Sequence, residues 1–275
     1  MKTTTSKFET KTFTLGERLT QEQIDYFKKH GVIQFKKFIT PETAELFISE
    51  LAKIELNWLK EGIQKVNGIP LKFGQDPEGN QMIQRMCFTN KYSQVLAEFL
   101  KDPRFGILLE LLAPYEGRIS EEEKDGLVFN HYINQPNSKF TQMGWHTDSP
   151  RDLFLGQKIL PMLNVGIHLD NCPSSNGGLR VLPGTQNQGM LKLLFGKKQF
   201  IDHRPDPKEI AFEIERGDLT IHDGRLWHRV EVSPHFGEKS RRRVMYVPII
   251  TGKYKPKSEN SKTPFYHRLA KVVTK

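Results

Sequence analysis

No apolar run in the 275-residue chain approaches the ~18–20 residues that a membrane-spanning helix needs, so no membrane span is expected. The opening stretch MKTTTSKFETKTF has no apolar segment after its first lysines and no arginine-rich amphipathic pattern. Neither a secretory signal nor a transit peptide is expected from it. Cysteine is scarce: Cys87 and Cys172 form no C-x-x-C and no framework. A four-sulfur zinc site is excluded, and two reduced thiols in a cytoplasmic protein are expected. Internal repeats and low-complexity segments are absent as well. Acidic residues are in the minority, 32 against 41 basic ones, for a net charge of +9. The excess is uneven. From Thr251 to Lys275 stand seven basic residues (Lys253, Lys255, Lys257, Lys262, Arg268, Lys271, Lys275) against Glu259, so the other 250 residues carry only +3. A body so nearly balanced does not look like a nucleic-acid-binding surface, and the basic tail reads as a solvated terminus.

What is present divides the chain in two. The first third is helical in pattern. Thr20-Gln21-Glu22-Gln23 has the form of a capping box, with Gly31 placed to end the helix it opens. Val32 to Phe38 reads as a short strand. Thr40-Pro41 then opens a second helix, on which Phe47, Leu51, Ile54 and Trp58 recur on one face. Asn67 to Gln84 is rich in Gly, Pro, Gln and Asn and reads as a long loop. Ser93 to Leu112 is helical again, interrupted near Pro103. From Leu127 onward short apolar runs alternate with turn signals, at Leu127–Ile133, Leu163–Leu169, Gly178–Leu182, Glu209–Ile214, Asp218–His222, Trp227–Val232 and Arg242–Ile250. Such spacing predicts a β-sandwich or barrel, with the helices packed outside one sheet. We expect residues 1–250 to form one domain and 251–275 a tail.

The chemistry-bearing residues sit in the β-rich part. His146-Thr147-Asp148 is an H-x-D, and on a strand residues i and i+2 share a face, so imidazole and carboxylate can meet one metal. With nine His in the chain, such a pair arises by chance in about one chain of three, and a polar pair at a strand end is the plainer reading of it alone. Downstream, Gly217-Asp218-Leu219 leads a strand, His228 follows, and Arg241-Arg242-Arg243 opens the last strand. Two His and one carboxylate on one face make the facial triad of non-haem iron oxygenases. An arginine about fourteen residues past the second His can reach in from a neighbouring strand and grip a dicarboxylate. His222 competes with His228 as the distal ligand. His131, His168, His203 and His235 read as hydrogen-bonded or surface histidines, and Gln81, Gln84 and Arg85 as either substrate-shaping residues or a solvated loop edge.

Over residues 15 to 250 the chain resembles the phytanoyl-CoA dioxygenase family of Fe(II)/2-oxoglutarate oxygenases. The resemblance lies in Leu19-Thr20-x-Glu22-Gln23, Phe27 and Gly31, in His146-x-Asp148, and in Asn176-Gly177-Gly178-Leu179-x-x-Leu182-Pro183-Gly184-Thr185. It continues through Gly217-Asp218-Leu219, His228 and Arg242-Arg243. It implies a double-stranded β-helix, a jelly-roll, cupin-like barrel that is mainly β with flanking helices. By the same resemblance His146, Asp148 and His228 match the iron ligands. Arg242 matches the arginine for the far carboxylate of 2-oxoglutarate, with Arg241 or Arg243 in its place if the register slips by one. Asn130 falls near a polar position that contacts the cosubstrate. Two segments depart from the family: Arg229-Val230 stand where Gly-Ser often follows the distal His, and Gln186 replaces a His after Pro-Gly-Thr. The implied activity is oxidation of a small-molecule substrate, most simply hydroxylation, with Fe(II), 2-oxoglutarate and O2 consumed or bound and succinate and CO2 released. A retained Asp148 favours hydroxylation over halogenation. Two other classes compete: a non-catalytic cupin-like binding protein, which needs no 2-oxoglutarate arginine, and a basic-tailed nucleic-acid-binding module. Oligomeric state is not legible.

Overall fold

The computed structural model describes residues 10–264, apart from 137, 139, 149, 155 and 157. The tail residues Arg268, Lys271 and Lys275 therefore lie outside the described residues.

The helical third follows its local signals closely. After β1 (Thr12–Phe13), α1 (Gln21–His30) opens on Thr20, whose hydroxyl accepts from the Gln23 amide while the Gln23 side chain accepts from the Thr20 amide. It ends on Gly31 at φ 73°, a left-handed conformation that glycine adopts without a Cβ penalty. β2 (Val32–Phe35) is shorter than its apolar pattern suggested. The chain turns at Lys37 (φ 55°), whose amide donates to Asp218 Oδ1 at 3.1 Å and so leaves the strand. α2 (Pro41–Lys60) starts at the predicted cap, Thr40, and buries Phe47, Leu51, Ile54 and Trp58. Each such side chain contributes about 1.5–3 kcal/mol by burial.

The stretch predicted as a long loop is the main correction. β3 (Lys65–Val66) stands just before it, and it holds β4 (Ile69–Pro70), β5 (Lys72–Gln75) and the first part of β6 (Gln81–Met86). The two hairpins turn at Asn67-Gly68 and near Gly79, and β6 pairs onward into the large sheet. The turn residues dominate the composition and conceal strands of two to six residues. Arg104 then begins α4 (Arg104–Leu108) after α3 (Gln94–Phe99), split as expected at Pro103.

The remaining elements are β7 (Arg118–Ile119), β8 (Val128–Tyr132), β9 (Met143–His146), α5 (Pro150–Phe154), β10 (Met162–His168), β11 (Gly178–Val181), α6 (Met190–Phe195), β12 (Ile210–Ala211), β13 (Leu219–Asp223), β14 (His228–Glu231) and β15 (Arg242–Ile250). The Glu209–Ile214 strand of the sequence pattern contracts to β12, Ile214 making only an isolated bridge to Cys172. The large sheet runs β1-β2-β13-β10-β15-β8-β6-β5, with β7 also on β15, and the small one β12-β11-β14-β9. They face one another as a jelly roll, joined across the interior by a cluster of Tyr132 and Val244 from the large sheet with Val230 from the small.

Strand alternation decides what the barrel encloses. On β10, Leu163, Val165 and Ile167 enter the main core with α2, as do Leu219 and Ile221 of β13 and Met245, Val247 and Ile249 of β15. The alternate residues therefore share the opposite, interior face. Registry sets Asn164 beside His222, Gly166 beside Thr220 and Tyr246, and Val244 between His168 and Asn130. The interior is thus unusually polar.

His168 is one of these interior groups; its Nε2 lies 2.9 Å from Thr220 Oγ1, and burial depresses its pKa to about 4. The unfolded chain takes up this proton near the ordinary value of 6.5, before the folded chain does. The penalty is absent above about pH 6.5 and grows as pH falls toward 4, reaching about 3 kcal/mol at ~1.36 kcal/mol per unit. His168→Gln should therefore lose less thermal stability between pH 7 and 4.5 than wild type, read as Tm against pH by circular dichroism. Among the described residues no helix is long and apolar enough to cross a membrane.

Candidate metal centre

His146 and His228 are brought together by sheet pairing: they are direct cross-strand partners on β9 and β14. A bulge follows, since Val230 pairs with Met143, so that Gly144 and Trp145 together stand opposite the single residue Arg229. Trp145 turns outward against Leu182 and Trp227. Gly144 must be glycine because a Cβ there would stand 2.5 Å from the Phe200 carbonyl oxygen. Phe200 in turn stacks on the His146 ring with centroids 4.6 Å apart.

The two imidazoles are oriented alike. His146 Nδ1 lies 2.8 Å from the Gly144 carbonyl and His228 Nδ1 2.9 Å from that of Leu226. A carbonyl only accepts, so each Nδ1 carries the proton and each Nε2 presents its lone pair. Both rings are buried, and their centroids are 4.0 Å apart.

Asp148 differs from the sequence picture. It is not on the strand with His146 but two residues past the end of β9, in a bend. Its amide donates to Gly224 O at 2.8 Å, and its carboxylate Oδ2 accepts from the Asn164 side chain. That places Oδ2 3.7 Å from His228 Nε2. One ligand atom from each of His146, Asp148 and His228 lies within 4.8 Å of the others, the spacing that a single ion can bridge.

His222 is close, its ring 4.3 Å from that of His228, but its lone pair is engaged. Its Nε2 faces Asn164 Nδ2 at 3.3 Å, an amide donor, so the proton sits on Nδ1, which has no hydrogen-bond partner among the described residues. Burial, and then the neighbouring His228, hold its pKa well below the usual histidine value. It is a neutral wall residue, and Asn164 bridges it to Asp148.

The three arginines separate cleanly. Arg241 lies toward solvent, paired with Glu238. Arg243 is fixed to Asp170 through Nε and a terminal nitrogen, at 2.9 and 2.7 Å. Arg242 is buried over the Tyr132 ring, donating to the carbonyls of Glu231 (2.8 Å) and Thr141 (3.3 Å), while its Nε has no hydrogen-bond partner among the described residues. Burial lowers its pKa, so an anion at that spot would find a charge poorly compensated by its surroundings. Asn130, across β15 at Val244, is buried on the same face. It touches Tyr132 Oη at 3.3 Å and leaves Oδ1 without a hydrogen-bond partner among the described residues. His131 is buried on the reverse face and held neutral, its pKa near 3; His203 and His235 are exposed. Arg85 pairs with Asp125 at 2.8 Å, and Gln84 occupies a bulge with its side chain directed at the Phe140 carbonyl.

Asn164 and Phe200 were not found from sequence. Asn164 was within reach, because it interrupts the apolar β10 run in the phase of Gly166 and His168. Phe200 carries no comparable signal, and its φ of 63° is rare for a bulky residue.

A family model described as phytanoyl-CoA dioxygenase matches residues 27–242. Among solved structures, the non-heme alpha ketoglutarate dependent carbocyclase SnoK from nogalamycin biosynthesis is similar at a TM-score of 0.64 and 15% identity, covering 94% of this chain and 93% of that one. HygX from Streptomyces hygroscopicus, solved with nickel and 2-oxoglutarate, is similar at 0.60 and 16%, covering 88% and 89%. The epimerase SnoN, solved with Fe3+, alpha ketoglutarate and nogalamycin RO, is similar at 0.60 and 12%, covering 87% and 86%. At such identities the likeness establishes the shared fold. No curated protein matches the chain in sequence.

Proposed function

The chain belongs to the phytanoyl-CoA dioxygenase family, and from that premise we propose that it is an Fe(II)- and 2-oxoglutarate-dependent dioxygenase that hydroxylates a small-molecule substrate. The observation that carries the reading is the convergence of His146, Asp148 and His228 within 4.8 Å, with both histidines pinned through Nδ1. In this reading those three residues hold Fe(II). Bound iron would activate O2, the oxidant, with 2-oxoglutarate supplying two of its electrons as it is oxidised to succinate and CO2 and the substrate supplying the other two.

The chain's own residues do the rest. Arg242 takes the far carboxylate of 2-oxoglutarate, using the Nε that has no partner among the described residues. Asn130 completes that contact: with its amide turned over, the Tyr132 hydroxyl donates to Oδ1 and Nδ2 points inward as a donor. Asn164 keeps the Asp148 carboxylate facing His228. The Phe200 ring stacks on His146 and the Tyr246 ring stands edge-on to His222, so both shape the wall beside the metal residues. Free, buried Cys87 and Cys172, their thiol pKa values raised by burial, stay unreactive there and suit the cytoplasmic compartment we assign.

Addition of Fe(II) and 2-oxoglutarate without oxygen should give a weak visible charge-transfer band. A protein that binds Fe(II) but gives no band at saturating 2-oxoglutarate would instead be a non-catalytic cupin-like binder.

A further inference from the structure

Lys124 is a fully buried lysine in the segment between β7 and β8. Its side chain and that of Asp152 are 0% and 1% exposed, with Nζ 2.8 Å from Asp152 Oδ1. Nζ also lies 3.1 Å from Met162 Sδ and 4.6 Å from the centre of the Tyr254 ring. The backbone at Lys124 is left-handed, φ 53°, so the chain accepts strain to point this side chain inward. A buried charge is tolerated only with partners this close, and Asp152 Oδ2 has no hydrogen bond among the described residues, so Asp152 depends on Lys124.

Two neighbours of this cation, Asp152 and Met162, lead to Asp148, and the third, Tyr254, leads to the C-terminal segment. Asp152 is four residues further along, on the short α5. Met162 O accepts from the Gly224 amide at 2.9 Å, and Gly224 O accepts from the Asp148 amide at 2.8 Å. A Cβ on Gly224 would lie 2.4 Å from Met162 Cγ and 3.5 Å from Asp148 Cβ, so these three residues are packed without slack. Tyr254 belongs to the basic tail, which is not free in the described part. Thr251 Oγ1 donates to Pro161 O at 2.7 Å, and the Lys257 amide to Glu122 O at 2.7 Å.

We propose that Lys124 is a positioning residue for the metal centre, tying the segment that carries Asp148 to the C-terminal segment through Asp152 and Tyr254. The proposal rests on the metal reading above. It gives residues 251–264 a role in holding the carboxylate ligand, although none of them contributes a ligand.

The test uses the full chain with Co(II) as probe, its affinity measured by calorimetry at 20 °C and its coordination by visible absorption, on variants verified as folded by circular dichroism. Lys124→Met should weaken Co(II) binding by about 10-fold or more, the scale of losing an outer-shell partner, and change the absorption band. Tyr254→Ala should weaken it about 3-fold, while Tyr254→Phe, which keeps the ring over Nζ, should match wild type. A role in stability alone would lower Tm and leave Co(II) affinity and the band unmoved, which overturns the proposal. If Lys124→Met does not fold, the Tyr254 pair decides: equal affinity in the Ala and Phe variants overturns it. Wild type that takes up no Co(II) would instead sink the metal reading itself, together with the tether that rests on it.

Discussion

His228→Ala should abolish the anaerobic Fe(II)/2-oxoglutarate band and lower Fe(II) affinity by at least about a thousand-fold, beyond the roughly 10–100-fold expected for loss of an outer partner. His222→Ala should keep the band. The two residues differ in what their lone pairs do. His228 Nε2 faces Asp148 with its Nδ1 proton given to Leu226, whereas His222 Nε2 accepts from Asn164. Removing His222 leaves a cavity beside His228 and frees one side of Asn164, so a lower Tm and a slightly displaced band are expected. Both variants can be compared in one anaerobic titration followed by absorbance, with circular dichroism as the check on folding. Loss of the band in the His222 variant and its survival in the His228 variant would reverse the ligand assignment.

Arg242→Ala should raise the KM for 2-oxoglutarate by roughly 30-fold to several thousand-fold. This corresponds to the ~2–5 kcal/mol lost when one member of a buried, hydrogen-bonded charge pair is removed. Lysine should not rescue it, because a point charge cannot reproduce a two-pronged contact. The adjacent arginines provide the control. Arg243→Ala breaks the clamp on Asp170 and should lower Tm with little change in KM; Arg241→Ala, at the surface, should do little to either. A KM effect that follows Arg243 instead would mean the strand faces are exchanged. Steady-state kinetics at saturating substrate, or 2-oxoglutarate titration of the charge-transfer band, reads the difference.

The arginine register shows where sequence reasoning reached its limit. Three consecutive arginines place two on one face of a strand and one on the other, and nothing local says which face is inside. The answer came from partners remote in sequence, Asp170 for Arg243 and the Glu231 and Thr141 carbonyls for Arg242. The helix ends at Thr20, Gly31 and Thr40 were legible because caps are local chemistry. His146 and His228 were legible from their order along the chain and from the family likeness. Asp148 was found for a partly mistaken reason: it shares the site with His146, yet from a bend and with Asn164 directing its carboxylate, not by strand alternation. The hairpins between residues 65 and 86 were missed because their turns outweigh such short strands. Lys124 could not have been read at all, since its meaning lies in Asp152, Met162 and Tyr254.

The two carbonyls that receive the Nδ1 protons belong to Gly144 and Leu226, each two residues before the histidine it serves. The choice of tautomer is therefore written into main-chain atoms, which point mutation cannot delete. Substitution around the centre can change the size, polarity and reach of the pocket while both imidazoles keep offering the same nitrogen. In the proposed oxygenase, such a scaffold would let the wall beside the metal residues change while the nitrogens offered to the metal stay the same.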